Sequence, residues 1–124
     1  EYSDKVMAGT DCPYAGVVPG FAMVDELESL VDAYGMTGYA ALAAATSRPA
    51  EYIGISDQKG KLLPGLDSDL IVLEENPLET VGAVRKIRMV FQGENVWDKE
   101  TLDGFLKAAG KLTQEKIEFI PLKI

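Results

Sequence analysis

The spacing of apolar side chains predicts helices in the first half of the chain. Over residues 22–34 the apolar positions recur at helical intervals, with acidic residues on the opposite face. Gly35 suits the end of this helix, and Thr37 can cap a second, alanine-rich helix over residues 39–46. The apolar face of the first helix consists of Val24, Leu27, Val31 and Tyr34, and its acidic face of Asp25, Glu28 and Asp32.

Beyond Gly54 the pattern changes from a helical period to strand-like runs. A third short helix, with Pro49 in its first turn, is expected to end at Gly54. The apolar run 70–73 then predicts a strand between a turn at Pro64-Gly65 and another at Asn76-Pro77. The change of period predicts a domain boundary.

An antiparallel meander is predicted next. Apolar and polar residues alternate over 87–92, and the turn at 93–95 leads back through Trp97, which indicates a sheet with one buried face. A final helix is expected over residues 101–109, and it should stop at Gly110.

Both ends of the chain carry short apolar segments. Lys5 to Ala8 is bounded by Gly9, which is typical of a buried strand followed by a loop, here carrying Asp11. Residues 117–124 are apolar but interrupted by Pro121, so we expect an edge strand or an arm along a neighbouring surface.

Composition and charge limit the classes of function. The 124 residues, 47% hydrophobic and 26% charged, are enough for one modest folded domain or a piece of a larger one. A net charge of -8, spread along the chain, repels phosphate backbones and anionic lipids, so we expect neither nucleic acid nor a membrane as partner. The single cysteine excludes an internal disulfide. With no signal peptide and no apolar span at the start, we expect a cytoplasmic or truncated chain.

Asp11 is the residue with the clearest chemical potential. It follows the carboxyl end of the predicted first strand, which is where barrel enzymes place catalytic groups and metal ligands. Yet the chain has no histidine, and one aspartate cannot hold a metal. Taken alone, an aspartate at this point is typical of a turn or a helix cap.

The order of these pieces resembles the C-terminal part of the amidohydrolase superfamily, in particular its imidazolonepropionase and prolidase-like metal-dependent branch. The resemblance covers residues 5–97, and each piece alone is weak. The pieces are Ala8-Gly9-Thr10-Asp11, Asp25-Glu26-Leu27 with Leu30-Val31, Ala44-Ala45-Thr46 followed by Pro49-Ala50, and Gly60 to Leu73 with Asn76-Pro77.

The resemblance implies an α/β fold: the last strand and helices of a TIM-like (β/α)₈ barrel, followed by the C-terminal part of a small β-sandwich. The implied divisions are barrel end at 1–56, sandwich portion at 57–98, and helix with apolar arm at 99–124. It also implies that Asp11 is a metal-site carboxylate and the proton acceptor for the attacking water. The metal would be a divalent ion, zinc in the first instance, with its other ligands encoded upstream.

The implied reaction is hydrolysis of a carbon-nitrogen bond in an amide, peptide or cyclic amide, on a small-molecule or dipeptide substrate. The isolated chain is expected to be inactive and to hold no cofactor. Two alternatives stay open: a non-catalytic binding or oligomerisation module of the same fold, and an inactive homologue kept for assembly. Unpaired edges predict self-association or a homo-oligomer.

Other residues have less specific interpretations. Thr10 is either a ligand contact or a backbone partner, and Cys12 is expected to be a small half-buried thiol. Asp67 and Asp69 are typical of turns, the acidic face of the first helix is typical of a solvated surface, and Trp97 is typical of a core.

Two positions depart from the family pattern. Val24 stands where many relatives have histidine, and Arg48 stands where they have asparagine before the proline of the third helix. We therefore expect no substrate contact at Val24, and a different cap, or none, on the third helix.

Overall fold

A computed structural model describes residues 4–14 and 17–115, the last four of these by their backbone alone. Three helices come first and a three-stranded antiparallel sheet follows. The elements are α1 (Ala22–Asp32), α2 (Gly38–Ala45), α3 (Ser47–Tyr52), β1 (Leu70–Leu73), a 3₁₀ helix (Val81–Arg85), β2 (Ile87–Gln92), β3 (Asn95–Asp98) and α4 (Lys99–Glu115). The predicted arm at 117–124 lies outside the described residues.

The first two helices have the ends that the sequence predicts. The hydroxyl of Thr37 accepts a hydrogen bond from the Ala40 N–H at 3.2 Å, which caps α2. Gly35 adopts a φ of 67° and donates its N–H to the Val31 carbonyl at 3.0 Å, the usual way in which a glycine closes a helix. Tyr34 lies beyond the end of α1 and is 76% exposed, so its assignment to the apolar face was wrong.

The core lies where α1, α2 and the 3₁₀ helix meet. Ala41 and Ala44 have no exposed surface, because small side chains on α2 let its neighbours approach closely. The buried cluster comprises Leu27, Leu30, Met36, Ala41, Ala44 and Val81. Because this cluster includes Val81, the core contains residues from both sides of Gly54, where the sequence pattern changes. The predicted domain division at residue 56 stays a prediction.

The meander is confirmed. Strand β2 lies between β1 and β3 and is antiparallel to both, with Phe91 opposite Leu70 on one side and Val96 on the other. The predicted burial of one face is only partial: the described sheet residues are half-buried or exposed, and Ile71 and Val96 are 44% and 51% exposed. Trp97 is half-buried rather than central to a core.

Two predicted elements were wrong. Residues 5–8 form no strand, because no strand in the described part of the chain lies beside them to supply a ladder of hydrogen bonds. Helix α4 runs from Lys99 to Glu115 and passes through Gly110. A glycine inside a helix costs only about 1 kcal/mol, so neighbouring helix formers can carry the helix past it. No helix among the described residues is long and apolar enough to cross a bilayer.

Candidate functional site

The segment leading to Asp11 is held by the helices instead of by a sheet. The Ala8 N–H donates to the carbonyl of Ala44 on α2 at 2.9 Å. One residue later, the Gly9 N–H donates to the Glu26 carboxylate on α1, with 3.2 Å between nitrogen and Oε1. Two consecutive backbone donors are thus satisfied by two different helices.

The third helix holds the same segment through a side chain. Arg48 on α3 donates from Nη1 to the carbonyl oxygen of Val6 at 3.1 Å, in a partly buried hydrogen bond. Thr46, at the N-terminal cap of α3, makes no side-chain capping bond. Helix α3 thus has no side-chain cap, as expected, and Arg48, which lies inside the helix, instead provides a long donor to the segment before Asp11. At Val24, the other departure, the side chain is 8% exposed and belongs to the core.

Asp11 has an unusual backbone conformation. Its φ is 52°, and it is the only residue other than glycine with a positive φ in the described part of the chain. Aspartate tolerates this region better than most residues, yet such conformations cost free energy and cluster at functional sites. The residue is exposed, and its carboxylate forms no hydrogen bond or ion pair with another described residue.

The residues beside Asp11 add little chemistry. Cys12 is half-buried and unpaired with another cysteine, and its Sγ lies 3.9 Å from the Val17 carbonyl, in keeping with a small packed thiol. Thr10 is half-buried. Within residues 4–14 and 17–115, no group of three or more His, Cys, Asp or Glu side chains is placed to hold a metal ion. The Asp11 carboxylate is a type of ligand that divalent cations accept. The described residues alone, however, do not complete a metal site.

A groove of about 760 Å³ borders the held segment. Val6 and Met7 line it from the N-terminal segment, and Glu26 and Leu30 line it from α1. Asp11 is not part of its lining. Glu26 is thus common to the groove and to the hydrogen bond that reaches Gly9.

The acidic face of α1 is paired, and its interpretation as a solvated surface was incomplete. Arg85, at the end of the 3₁₀ helix, donates from Nη2 to Asp25 at 2.5 Å and to Glu28 at 2.8 Å. The hydrogen bonds with these two carboxylates raise the pKa of Arg85, and the larger effect comes from Glu28. Sequence reasoning did not identify Arg85, because 60 residues separate it from Asp25 and no short motif connects them. Asp32, the third acidic residue of this face, is exposed.

A second charged cluster fixes the entry to β1. Lys59 pairs with Asp67 at 3.0 Å and also with Asp69. The second oxygen of Asp69 accepts the Gly93 N–H at 3.1 Å, which connects the entry of β1 to the β2–β3 turn. The Lys59 ammonium lowers the pKa of Asp69, and Asp69 in turn raises the pKa of Lys59. The predicted turn chemistry at Asp67 and Asp69 agrees with this arrangement.

The chain thus combines α-helices with a small antiparallel sheet in an α/β architecture. Residues 1–106 match the amidohydrolase family, so the chain belongs to that family. The match covers more than the resemblance at residues 5–97, and it confirms the family assignment made from the motifs.

Curated relatives are named as hydrolases. Ochratoxinase from Aspergillus niger is 30% identical over 113 residues, which cover 82% of this chain and 22% of that protein. N-acetylglucosamine-6-phosphate deacetylase from Danio rerio is 41% identical over 68 residues, 55% of this chain and 15% of the deacetylase. Amidohydrolase tasK from Hapsidospora irregularis is 40% identical over 45 residues, 36% of this chain and 5% of that protein. The chain thus spans less than a quarter of each of these relatives.

Solved structures give the same result. A protein from Bifidobacterium longum that is assigned as a prolidase superposes with a TM-score of 0.62 at 31% identity, covering 84% of this chain and 27% of its own. An amidohydrolase crystal structure superposes with a TM-score of 0.55 at 28% identity, covering 60% and 19%. The small α/β fold is therefore similar to part of amidohydrolase structures.

Proposed function

We propose that residues 1–124 supply the C-terminal part of a metal-dependent amidohydrolase that cleaves carbon-nitrogen bonds, with Asp11 as its metal-site carboxylate and proton acceptor. The observation that carries this proposal is the placement of Asp11. It is an exposed carboxylate on a left-handed backbone, directly after a segment that α1, α2 and α3 all hold. Strain of this kind, in a member of a hydrolase family, favours a working residue over an ordinary turn.

The chemistry assigned to Asp11 is acid-base chemistry. In its ionised form a carboxylate accepts a proton from water as that water attacks a carbonyl or ring carbon. The same group, once protonated, can return the proton to the departing nitrogen. Because no other described side chain is bonded to the Asp11 carboxylate, an oxygen that does not ligate the metal would be available for this exchange.

The proposal requires donors beyond this chain. A bound divalent metal, zinc in the first instance, would lower the pKa of a water molecule toward neutrality. Asp11 would be one of its ligands, and the described residues supply no others, so the remaining donors would come from the rest of a longer protein. The short share of each relative that this chain spans supports such a protein. For the isolated chain we propose neither metal nor catalysis.

The proposed architecture follows from the same comparison. In the complete protein, residues 5–8 would pair with a neighbouring strand as the last strand of a (β/α)₈ barrel, with Asp11 just beyond its end. Helices α1 to α3 would follow it, and the three-stranded sheet would be part of a β-sandwich. The groove beside Val6 and Met7 supports this arrangement, because it leaves room for a further element next to the segment that lacks a sheet partner. A dipeptide or another small amide is the proposed class of substrate, with cyclic amides and imidazolones included.

The test is the Asp11→Asn variant of the complete protein that carries this segment. Asparagine keeps the size and tolerates the left-handed backbone, but it cannot accept the proton. We expect hydrolysis of a panel of dipeptides and N-acylated small molecules to fall by about 10²- to 10⁴-fold. Asp32→Asn serves as the matched control, because Asp32 is an exposed residue of α1 whose change should leave the rate within about twofold. Full activity of Asp11→Asn would refute the assignment.

A further inference from the structure

We propose that Glu26 is a positioning residue for Asp11, acting through the backbone of Gly9. The proposal rests on the function proposed for Asp11 and adds a residue to that site. Its basis is the 3.2 Å hydrogen bond from the Gly9 N–H to the Glu26 carboxylate, two residues before Asp11. Glu26 does not itself contact the reacting atoms in this assignment; it holds the Ala8–Gly9 peptide unit, and so fixes the start of the short segment that leads to Asp11.

Packing does not fix Gly9. A Cβ at this position would meet no atom within 4 Å, and the residue is exposed. A glycine in open space samples more backbone conformations than any other residue. Its orientation therefore depends on the hydrogen bonds that the backbone makes around it. An ionised carboxylate is a stronger acceptor for such an N–H than a neutral group at the same distance.

Glu26 is itself well anchored. It is half-buried on α1, next to Leu27, which is 2% exposed and belongs to the core cluster. Val24, two residues before it, and Leu30, four residues after it, are also buried. The carboxylate thus projects from a rigid part of the fold, and it transmits that rigidity to an exposed glycine near the strained Asp11.

The hydrogen bonds at Val6 and Ala8 show which part of the segment depends on Glu26. Arg48 holds the carbonyl of Val6, and the carbonyl of Ala44 holds the Ala8 N–H, so the segment is fixed up to residue 8 without Glu26. Gly9 is the last described residue before Asp11 whose backbone is bonded to a helix side chain. Loss of Glu26 should therefore free residues 9–11 and leave residues 6–8 in place.

The decisive experiment compares three variants of the complete protein: Glu26→Ala, Glu26→Gln and the matched control Glu28→Ala. Glutamine retains an acceptor oxygen, whereas alanine has none. Glu28 lies on the same helix but pairs with Arg85, and none of the described hydrogen bonds that hold residues 6–9 involves it. We expect Glu26→Ala to lower kcat by about tenfold or more with KM within about twofold, since small displacements of a reacting group are costly. Glu26→Gln should stay within about threefold of the parent, and Glu28→Ala within about twofold.

A measurement without catalysis completes the test. Hydrogen exchange of the peptide that contains residues 9–11 should become about tenfold faster in Glu26→Ala, and should be unchanged in Glu28→Ala. Unchanged exchange in Glu26→Ala would overturn the proposal, and so would an unchanged kcat in an enzyme that Asp11→Asn inactivates. Equal loss of kcat in the alanine and glutamine variants would assign Glu26 to the chemistry and not to positioning. If Asp11→Asn keeps full activity, the function proposed for Asp11 fails, and with it this role for Glu26.

Discussion

Gly60 and Ala50 approach so closely that a Cβ added to Gly60 would lie 2.6 Å from the Cβ of Ala50. Gly60 also has a φ of 90°, in the region that glycine adopts at no steric cost. We expect Gly60→Ala to destabilise the protein by about 2–4 kcal/mol, because the new methyl group meets both a clash and an unfavourable backbone. The free energy of unfolding from urea titration measures this loss.

Gly65 provides the control for that prediction. Its φ of 92° is nearly the same, but a Cβ there would meet no atom within 4 Å. Gly65→Ala should therefore cost only the backbone component, about 1–2 kcal/mol. Equal losses in the two variants would show that the contact with Ala50 contributes nothing.

Elements defined by local chemistry could be predicted from the sequence. Thr37 caps α2 and Gly35 closes α1, since each acts on backbone groups within a few residues. Pro64-Gly65 turns the chain as expected: Gly65 has a positive φ, and the Leu66 N–H donates to the Leu63 carbonyl at 3.3 Å. The spacing of apolar residues likewise predicted the positions of α1 and β2, because it is a property of neighbouring residues.

Features that depend on distant partners could not be predicted in this way. Residues 5–8 have the composition of a buried strand, but a strand exists only where another strand pairs with it. The ion pair between Arg85 and Asp25 joins residues 60 positions apart, and the hydrogen bond from Arg48 to Val6 joins residues 42 positions apart. No local pattern in the sequence indicates either of them. Asp11 was singled out by its place after the predicted first strand, and its role was assigned by family resemblance, whereas its positive φ is visible only in three dimensions.

Arg48 should contribute to stability through a single hydrogen bond. Its guanidinium satisfies the Val6 carbonyl in a partly buried position, and charged donors of this kind are worth about 1.5–3 kcal/mol. We expect Arg48→Ala to lower the free energy of unfolding by that amount. Arg88→Ala is the matched control, because Arg88 is exposed on β2, and its loss should stay within about 0.5 kcal/mol. Similar losses at both positions would contradict the prediction.

Asp98 should make α4 sensitive to acid. The backbone N–H of Thr101 donates to the Asp98 carboxylate at 2.9 Å and lowers its pKa below the ordinary value of 3.8. Because the pKa is lower in the folded state, the ionised carboxylate stabilises the fold above pH 3.8, and this contribution is lost as the pH falls through the lowered pKa.

The measurement compares the parent chain with Asp98→Asn in urea titrations from about pH 6 to about pH 2.5. Asparagine is also a good helix cap but does not titrate. The difference in unfolding free energy between the two proteins should be constant above pH 4.5 or so, and should then shift in favour of Asp98→Asn as the pH falls. A difference that does not depend on pH would show that the carboxylate has the same pKa in both states.

The chain by itself should not retain zinc. Tight zinc sites use three or four protein ligands, and the described residues bring no such group together. After incubation with zinc and dialysis, we expect elemental analysis of residues 1–124 to find well below about 0.2 zinc per chain. One tightly held zinc per chain would contradict this, and would require ligands that the proposed function places elsewhere.

Exposed apolar side chains should make the isolated chain associate with itself. Leu62 is 82% exposed, and Val96, on the edge strand β3, is 51% exposed. Exposed apolar surface and unpaired strand edges both favour association. We expect sedimentation equilibrium to give a mass above that of the monomer that rises with concentration. Leu62→Glu and Val96→Glu should each lower it, whereas Gln58→Glu adds the same charge at a polar, exposed position and should have a smaller effect. A concentration-independent monomer would show that these side chains do not form an interface.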